Sequence, residues 1–552
     1  MRTHRLSRWG IVTLAAIMLA GLGSAGCRVG KDDIERWEST ERGPEKLVAV
    51  ITHDKYDTEL RVDAALALVR MKPRGGRRVG IPAMVSAIAS LKNPEERTAI
   101  IGGMVPVLVA EMGKPPPVAQ AGQPLPPDGS IPFKDAAYAL LTYDKAVLVT
   151  DDQQKQQLLD ALAKWPAADF EHRYDNASQM YGVEQVIRFV GAAAARPLPP
   201  LITVDSHKIA ELARLIADNG DAATKEEASK KIVEVATFTA SQQFIDRIKP
   251  VVEEANRAAK LAPTPEQLKY QLVAAQDEQL KKIFGAMKKL GGRPVVEFCL
   301  NYASQATNSE DRRSLALAAL EGNFDQNNPD DTKRLLDLAA ADDTPDKVRD
   351  LAFRRVGEMP RDKVISRLYS IFSNKRWQVR WVAAQYVIKM SDTTQIPEFM
   401  SKLPGGRAEN FALTEALSYA DWMGTKTNMA EKNGKTARSE LEPYFRAGTV
   451  AQRTVALGWF YSHGTKADLS FLNGFENDSM STPKCDDTQT DCQWKCYVAK
   501  ADKPDEKEQK DISTVGEFVK FCVVPAIQDR KELPKDSGKE PAKKDDAPQP
   551  GK

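Results

Sequence analysis

The sequence predicts an all-α protein of stacked helix pairs, on three observations. Apolar residues make up 42% of the 552 positions, charged residues 28% and aromatics only 7%, with Ala and Leu frequent. Such a chain, poor in alternating β-branched residues, favours helix over strand. Five segments open with a capping residue followed by Pro at the first helical position: Gly43-Pro44, Asn93-Pro94, Thr264-Pro265, Asn328-Pro329 and Thr344-Pro345. Pro is harmless there because that N–H has no intrahelical partner. Thr264 with Gln267 and Asn93 with Glu96 also have capping-box spacing. The third observation is that the helical segments fall into pairs of roughly 30–40 residues.

Taken in order, Pro44–Thr52 pairs with Thr58–Met71, whose Leu60, Ala64, Leu68 and Met71 share a face. Val79–Leu91 and Pro94–Met112 follow. Further on, Pro294–Gln305 pairs with Glu310–Glu321, and Pro329–Ala340 with Pro345–Met359. Asp362–Ser373 then pairs with Trp377–Met390, and Gln395–Leu403 with Ala408–Met423. A two-helix unit cannot bury its apolar face alone, so neighbours must stack. The middle region is helical but off this pattern. Val183, Val186, Ile187 and Val190 form one helical stripe, and Leu280, Ile283, Met287 and Leu290 another.

The second helices carry Arg61-Val-Asp-Ala-Ala-Leu-Ala-Leu68, Arg313-Ser-Leu-Ala-Leu-Ala-Ala-Leu320, Val348-Arg349-Asp-Leu-Ala352 and Val379-Arg380-Trp-Val-Ala-Ala384. In these segments the chain resembles HEAT repeats over 44–112 and 294–423, and more weakly to 463. The resemblance implies a HEAT-like (armadillo-type) α-α superhelix. In such folds small residues let adjacent helices approach, and the Arg reaches toward neighbouring repeat ends.

The expected organisation is a signal peptide at 1–26, helical pairs at 27–112 and a Pro-rich loop at 113–133. A helical middle region at 134–290 and HEAT-like repeats at 291–475 follow. A Cys-containing region at 476–528 and a disordered tail at 529–552 complete it. The loop holds Pro115-Pro116-Pro117, Pro124, Pro126, Pro127 and Pro132, so it is not helical and reads as an exposed spacer, or as a proline-rich ligand for a partner. The tail is Lys, Asp, Glu, Pro and Gly with almost nothing apolar.

At the start, Arg2, Arg5 and Arg8 precede the apolar run Ile11–Ala20, and small residues follow up to Cys27. The run is shorter than the roughly 20 residues that span a bilayer. This layout reads as a signal peptide. Ser24-Ala25-Gly26-Cys27 resembles the lipobox of bacterial lipoproteins, departing from it at Ser24, where Leu, Val or Ile is commonest. The resemblance covers the first 27 residues and implies diacylglycerol on the Cys27 thiol, cleavage before it, and export. Arg28 stands where an inner-membrane retention signal has Asp, which points to the outer membrane. The alternatives are an ordinary secretory signal with an incidental Cys, and an uncleaved anchor.

Five further cysteines follow. Cys299 lies in the apolar run Val295–Leu300 and reads as a buried helix residue. Cys485, Cys492, Cys496 and Cys522 cluster near the C-terminus and, in an exported protein, read as two disulfides. Three pairings are open. The alternative is a zinc site built from all four thiolates, but only Cys492 and Cys496 have chelating spacing and no His is near.

No catalytic constellation emerges. With 78 Lys+Arg against 76 Asp+Glu, there is no basic footprint for nucleic acid. The five His are scattered without an H-E-x-x-H, and the mature chain has neither a nucleophile elbow nor a phosphate loop. Paired acids such as Asp330-Asp331 and Asp342-Asp343 read as helix-start residues favoured by the dipole. No enzyme, cofactor or metal is expected. The surface candidate is Arg376, Trp377, Arg380 and Trp381, because Trp and Arg are enriched at binding hot spots; the alternative is that both Trp pack into the neighbouring repeat. The sequence therefore points to a membrane-anchored scaffold for an unidentified envelope protein or peptide. A glycan or small-ligand binder, or a HEAT-like lyase or chaperone accessory, is the alternative.

Overall fold

The computed structural model describes residues 29–119, 123–325, 328–403, 413–424, 428–482, 494–500, 502 and 506–530. Cys27, Cys485, Cys492, the signal segment and the tail beyond 530 lie outside the described residues. The described chain is all-α apart from one two-stranded hairpin. It divides into two compact units, residues 1–297 and 298–552.

Most expected helices are present. Pro94–Met112 and Pro329–Ala340 form as read, the former continuing through Pro106. Asn93, Thr264 and Asn328 each cap their helix, accepting from Glu95, Gln267 and Asp330 N–H respectively. Thr264 and Gln267 complete a reciprocal capping box.

Three start signals turn out differently. Gly43 lies inside its helix, and Pro345, not Thr344, is the cap of Asp346–Val356. Asn93 caps without Glu96. The Glu96 carboxylate instead accepts from Arg61 Nη2 at 3.0 Å, because an ion pair to the preceding helix pair outcompetes a local bond to the cap.

Within the first unit, Thr58–Arg70 packs on Gly43–Thr52, Gly80–Ser90 and Pro94–Met112, and Pro94–Met112 continues onto Asp152–Ala168. Ile209–Asn219 and Ala222–Thr239 pack on the 26-residue helix Pro265–Leu290. Leu280, Ile283, Met287 and Leu290 are buried, as are Val183, Val186 and Ile187. Within the second unit, Glu310–Ala319 packs on Asp346–Val356, Trp377–Lys389 on Leu413–Met423, and that helix on Val450–His463.

One device recurs in both units. Arg61, Arg313, Arg349, Arg380 and Arg453 are each the fourth residue of a helix, and all five are buried. In three of them Nε donates to a carbonyl ten residues upstream, at the end of the preceding helix. Those acceptors are Ile51, Ala303 and Ala339, at 2.8, 2.7 and 3.0 Å. The last carbonyls of a helix lack intrahelical donors, and a cation there meets the negative end of the dipole. The guanidinium thus satisfies the first helix and fixes the second against it. Three residues after each Arg stands an Ala with no exposed surface: Ala64, Ala316, Ala352, Ala383 and Ala456.

At the C-terminal end, strands Lys495–Ala499 and Lys507–Asp511 pair antiparallel, with Cys496 opposite Lys510. Sequence periodicity did not foresee this hairpin, whose exposed strands carry little apolar alternation. Cys496 is disulfide-bonded to Cys522, Cα to Cα 5.7 Å, in the π-helical turn Val519–Val523. That bond is present in only one of the three open pairings, and it removes two of the four thiols that an all-cysteine zinc site needs. Buried Trp494 meets Phe518 edge to face at 4.7 Å beneath the hairpin.

Candidate functional site

The second unit carries the aromatic candidate. Asn374 prepares the helix Trp377–Lys389: its side chain accepts from Arg376 N–H at 2.9 Å and donates to the Ala340 carbonyl at 3.2 Å. Arg376 Nη1 donates to the Asp342 carbonyl at 2.8 Å. The helix start is thereby tied to the end of an earlier helix, and Trp377 stands at its first position.

One turn later the side chains diverge. Val379, Arg380, Ala383 and Ala384 are buried, whereas Trp377 and Trp381 are half-buried. Their rings lie 5.9 Å apart. Trp381 stacks on Trp422 of Leu413–Met423 at 5.5 Å and 20°, and Trp422 is also half-buried. Three indoles therefore form a strip across two neighbouring helices.

The strip rests on a buried polar base. Arg380 donates to both oxygens of Glu415, and the Tyr419 hydroxyl donates to Glu415 Oε1 at 2.6 Å. Trp422 leans on Tyr419 at 6.3 Å. Burial, reinforced by the Glu415 carboxylate, pushes the Tyr419 hydroxyl well above its ordinary pKa. These groups are held in mutual bonds. Arg380, grouped from the sequence with the surface Trp pair, is therefore not part of an accessible surface: it is 7% exposed.

On the neighbouring helix Val450–His463, Trp459 lies 5.8 Å from His463, and the His463 ring meets the Asp421 carbonyl at 3.0 Å. The indole N–H groups of Trp381 and Trp459 find no hydrogen-bond partner among the described residues. Sequence reading did not connect Trp422 with the Trp pair, although Trp381, Trp422 and Trp459 recur at about one repeat length.

The first unit holds a cleft of about 350 Å³ lined by Asp128, Asp169, His172, Arg173, His207 and Lys208, among others. Its polar groups are engaged: His172 with Asp169 at 2.8 Å, Lys208 with Asp175 at 2.9 Å, and Arg173 with Asp128 at 2.8 Å. Beside it, Arg173 and Lys134 lie over the buried Trp165 ring at 4.4 and 4.9 Å. Burial pulls the Lys134 amine below its ordinary pKa despite the adjacent Asp135. Lys134 donates to Asp135 Oδ1, Gln179 Oε1 and the Tyr181 carbonyl, so it acts as a staple. Among the described residues no His, Cys, Asp or Glu cluster has metal-holding geometry. Cys299 is fully buried, and burial raises its thiol pKa.

No protein-family model matches the chain, and no curated protein matches it.

Proposed function

We propose that this protein is a lipid-anchored, non-catalytic scaffold of the bacterial cell envelope, and that its helix pairs form a HEAT-like solenoid presenting a binding surface to a protein or peptide. The recurrent Arg and Ala positions support the repeat reading. In two places the Arg also reaches an acid 35 residues ahead, Arg61 to Glu96 and Arg380 to Glu415. That separation is one repeat length, so each pair is keyed to the next.

The observation that carries the binding reading is the strip Trp377–Trp381–Trp422. Half-buried indoles supply large rigid contact area with few rotatable bonds, the composition of interface hot spots. Attachment rests on Cys27 in this reading, and no described helix is long and apolar enough to cross a membrane. More than one acyl chain makes such an anchor stable. The lipobox resemblance and Arg28 support export and the outer membrane.

The test compares proteins bound to detergent-extracted wild type, Cys27→Ala and Trp381→Ala chains by mass spectrometry, with the N-terminus analysed alongside. The expected result is an acylated Cys27 in wild type and a defined partner that Trp381→Ala loses while its helical content is unchanged. Identical bound sets for wild type and Trp381→Ala would remove the strip from the proposal, and an unmodified Cys27 would remove the anchor.

A further inference from the structure

Of the ten large apolar side chains left exposed among the described residues, four lie on one helical hairpin: Val251, Leu261, Tyr270 and Val273. The hairpin comprises Gln242–Ala258 and Pro265–Leu290 in the first unit. The second helix, at 26 residues, is about 39 Å long. Its buried residues begin only at Leu272, and the first helix buries only Phe244 and Asn256. The root of the hairpin is therefore packed and its tip stands free.

The tip is stiff. The Asn256 and Gln271 amides pair reciprocally between the two helices, at 2.8 and 3.4 Å. A part-buried amide pair of this kind favours one register. Leu261 N–H donates to the Asn256 carbonyl at 2.8 Å. Lys260 turns the chain with φ +56°, and the Thr264–Gln267 capping box restarts the helix. Leu261 is held at the apex 58% exposed, with Tyr270 76% exposed on the next helix.

The apex carries a small basic excess, with Glu253 and Glu254 just below it on the first helix. Residues 255–270 hold Arg257, Lys260 and Lys269 against Glu266 alone. Arg257 is bridged to Glu254 outside that stretch, whereas Lys260 and Lys269 make no ion pair among the described residues. An apical Leu and an exposed Tyr interspersed with free lysines match the headgroup layer of a bilayer, where aromatic rings and basic side chains both reside.

We propose that this hairpin tip docks on an anionic lipid bilayer. Leu261 and Tyr270 enter the headgroup layer, and Lys260 and Lys269 meet the lipid phosphates. The contact needs no acyl chain, so it stands or falls separately from the modification of Cys27.

The test places a fluorophore at the apex, as Leu261→Trp in the Cys27→Ala chain, with its emission taken as the difference from the Leu261 parent. Vesicles are phosphatidylcholine alone, or with about 30% phosphatidylglycerol, each also with brominated chains. The expected result is a blue shift and bromine quenching with the anionic vesicles only. Lys260→Gln and Lys269→Gln should each weaken partitioning about fivefold, with helical content unchanged because both side chains are exposed. Three results would overturn the proposal: no quenching with either vesicle, equal quenching with neutral vesicles, or a concentration-dependent shift without vesicles, which assigns the tip to a second copy of the chain.

Discussion

Arg380 and Glu415 stand 35 residues apart and meet in a two-pronged ion pair, Nε to Oε1 at 3.0 Å and Nη2 to Oε2 at 2.8 Å. Their side chains are 8% and 1% exposed. Such a pair contributes through matched geometry, because two desolvated charges are costly when separated. Glu415→Ala removes the carboxylate facing the buried guanidinium and is expected to destabilise the second unit by about 3–5 kcal/mol. Joint replacement by Arg380→Met and Glu415→Leu should cost less than the single change. Urea unfolding of both singles and the double decides this, and additive losses would contradict it.

The recurrent Arg and Ala positions predict a second set of losses. Arg313→Ala removes the donor to the Ala303 carbonyl and should cost about 1.5–3 kcal/mol. Ala316→Leu forces side-chain volume into a fully buried site, with an expected loss of about 1–3 kcal/mol. Thermal unfolding reads both. A neutral Ala316→Leu would show that the neighbouring helix is not closely applied there.

The Cys496–Cys522 bond closes 26 residues of chain. Loop-closure entropy then gives about 3.5 kcal/mol of stabilisation to the terminal region. Cys496→Ser should expose the 495–511 hairpin to proteolysis at its lysines while the helical circular dichroism of the remainder is kept. Unchanged proteolysis would mean that Trp494 and its packing on Phe518 hold the hairpin without the bond.

Asp468 supplies a pH dependence. Burial acts to raise its carboxyl pKa, but the Thr465 N–H, the Arg438 guanidinium and the Thr465 hydroxyl together outweigh burial and hold it below the ordinary value. A carboxylate depressed in the folded state contributes stability above its unfolded pKa of about 3.9. That stability is lost as pH falls through the folded value. The urea midpoint of wild type should therefore drop more steeply than that of Asp468→Asn as pH falls below about 4. Parallel curves would place the acid sensitivity elsewhere.

The helices were legible from the sequence because their determinants are local. Pro at the first turn, Asn93, Thr264 and Asn328 as caps, and apolar residues at helical spacing act within a few positions of one another. The repeated Arg was visible as a pattern, but its acceptors were not: only the packed structure brings Ile51 to Arg61 or Ala303 to Arg313. The same holds for Glu96, whose capping-box spacing is a local signal overridden by an ion pair to a different helix.

The surface candidate divides in the same way. Sequence placed Trp377 and Trp381 one turn apart on a helix, and the structure keeps them together. Whether Arg380 faced outward depended on where Glu415 lay, and Trp422 joined the strip only through the packing of two helices. The exposure of Leu261 and Tyr270 was likewise undecidable from periodicity, since a helical stripe looks the same whether or not another element covers it. Local propensity and capping determined which segments are helices. Long-range packing, through desolvation and the pairing of buried charges, decided which faces are core and which are left exposed.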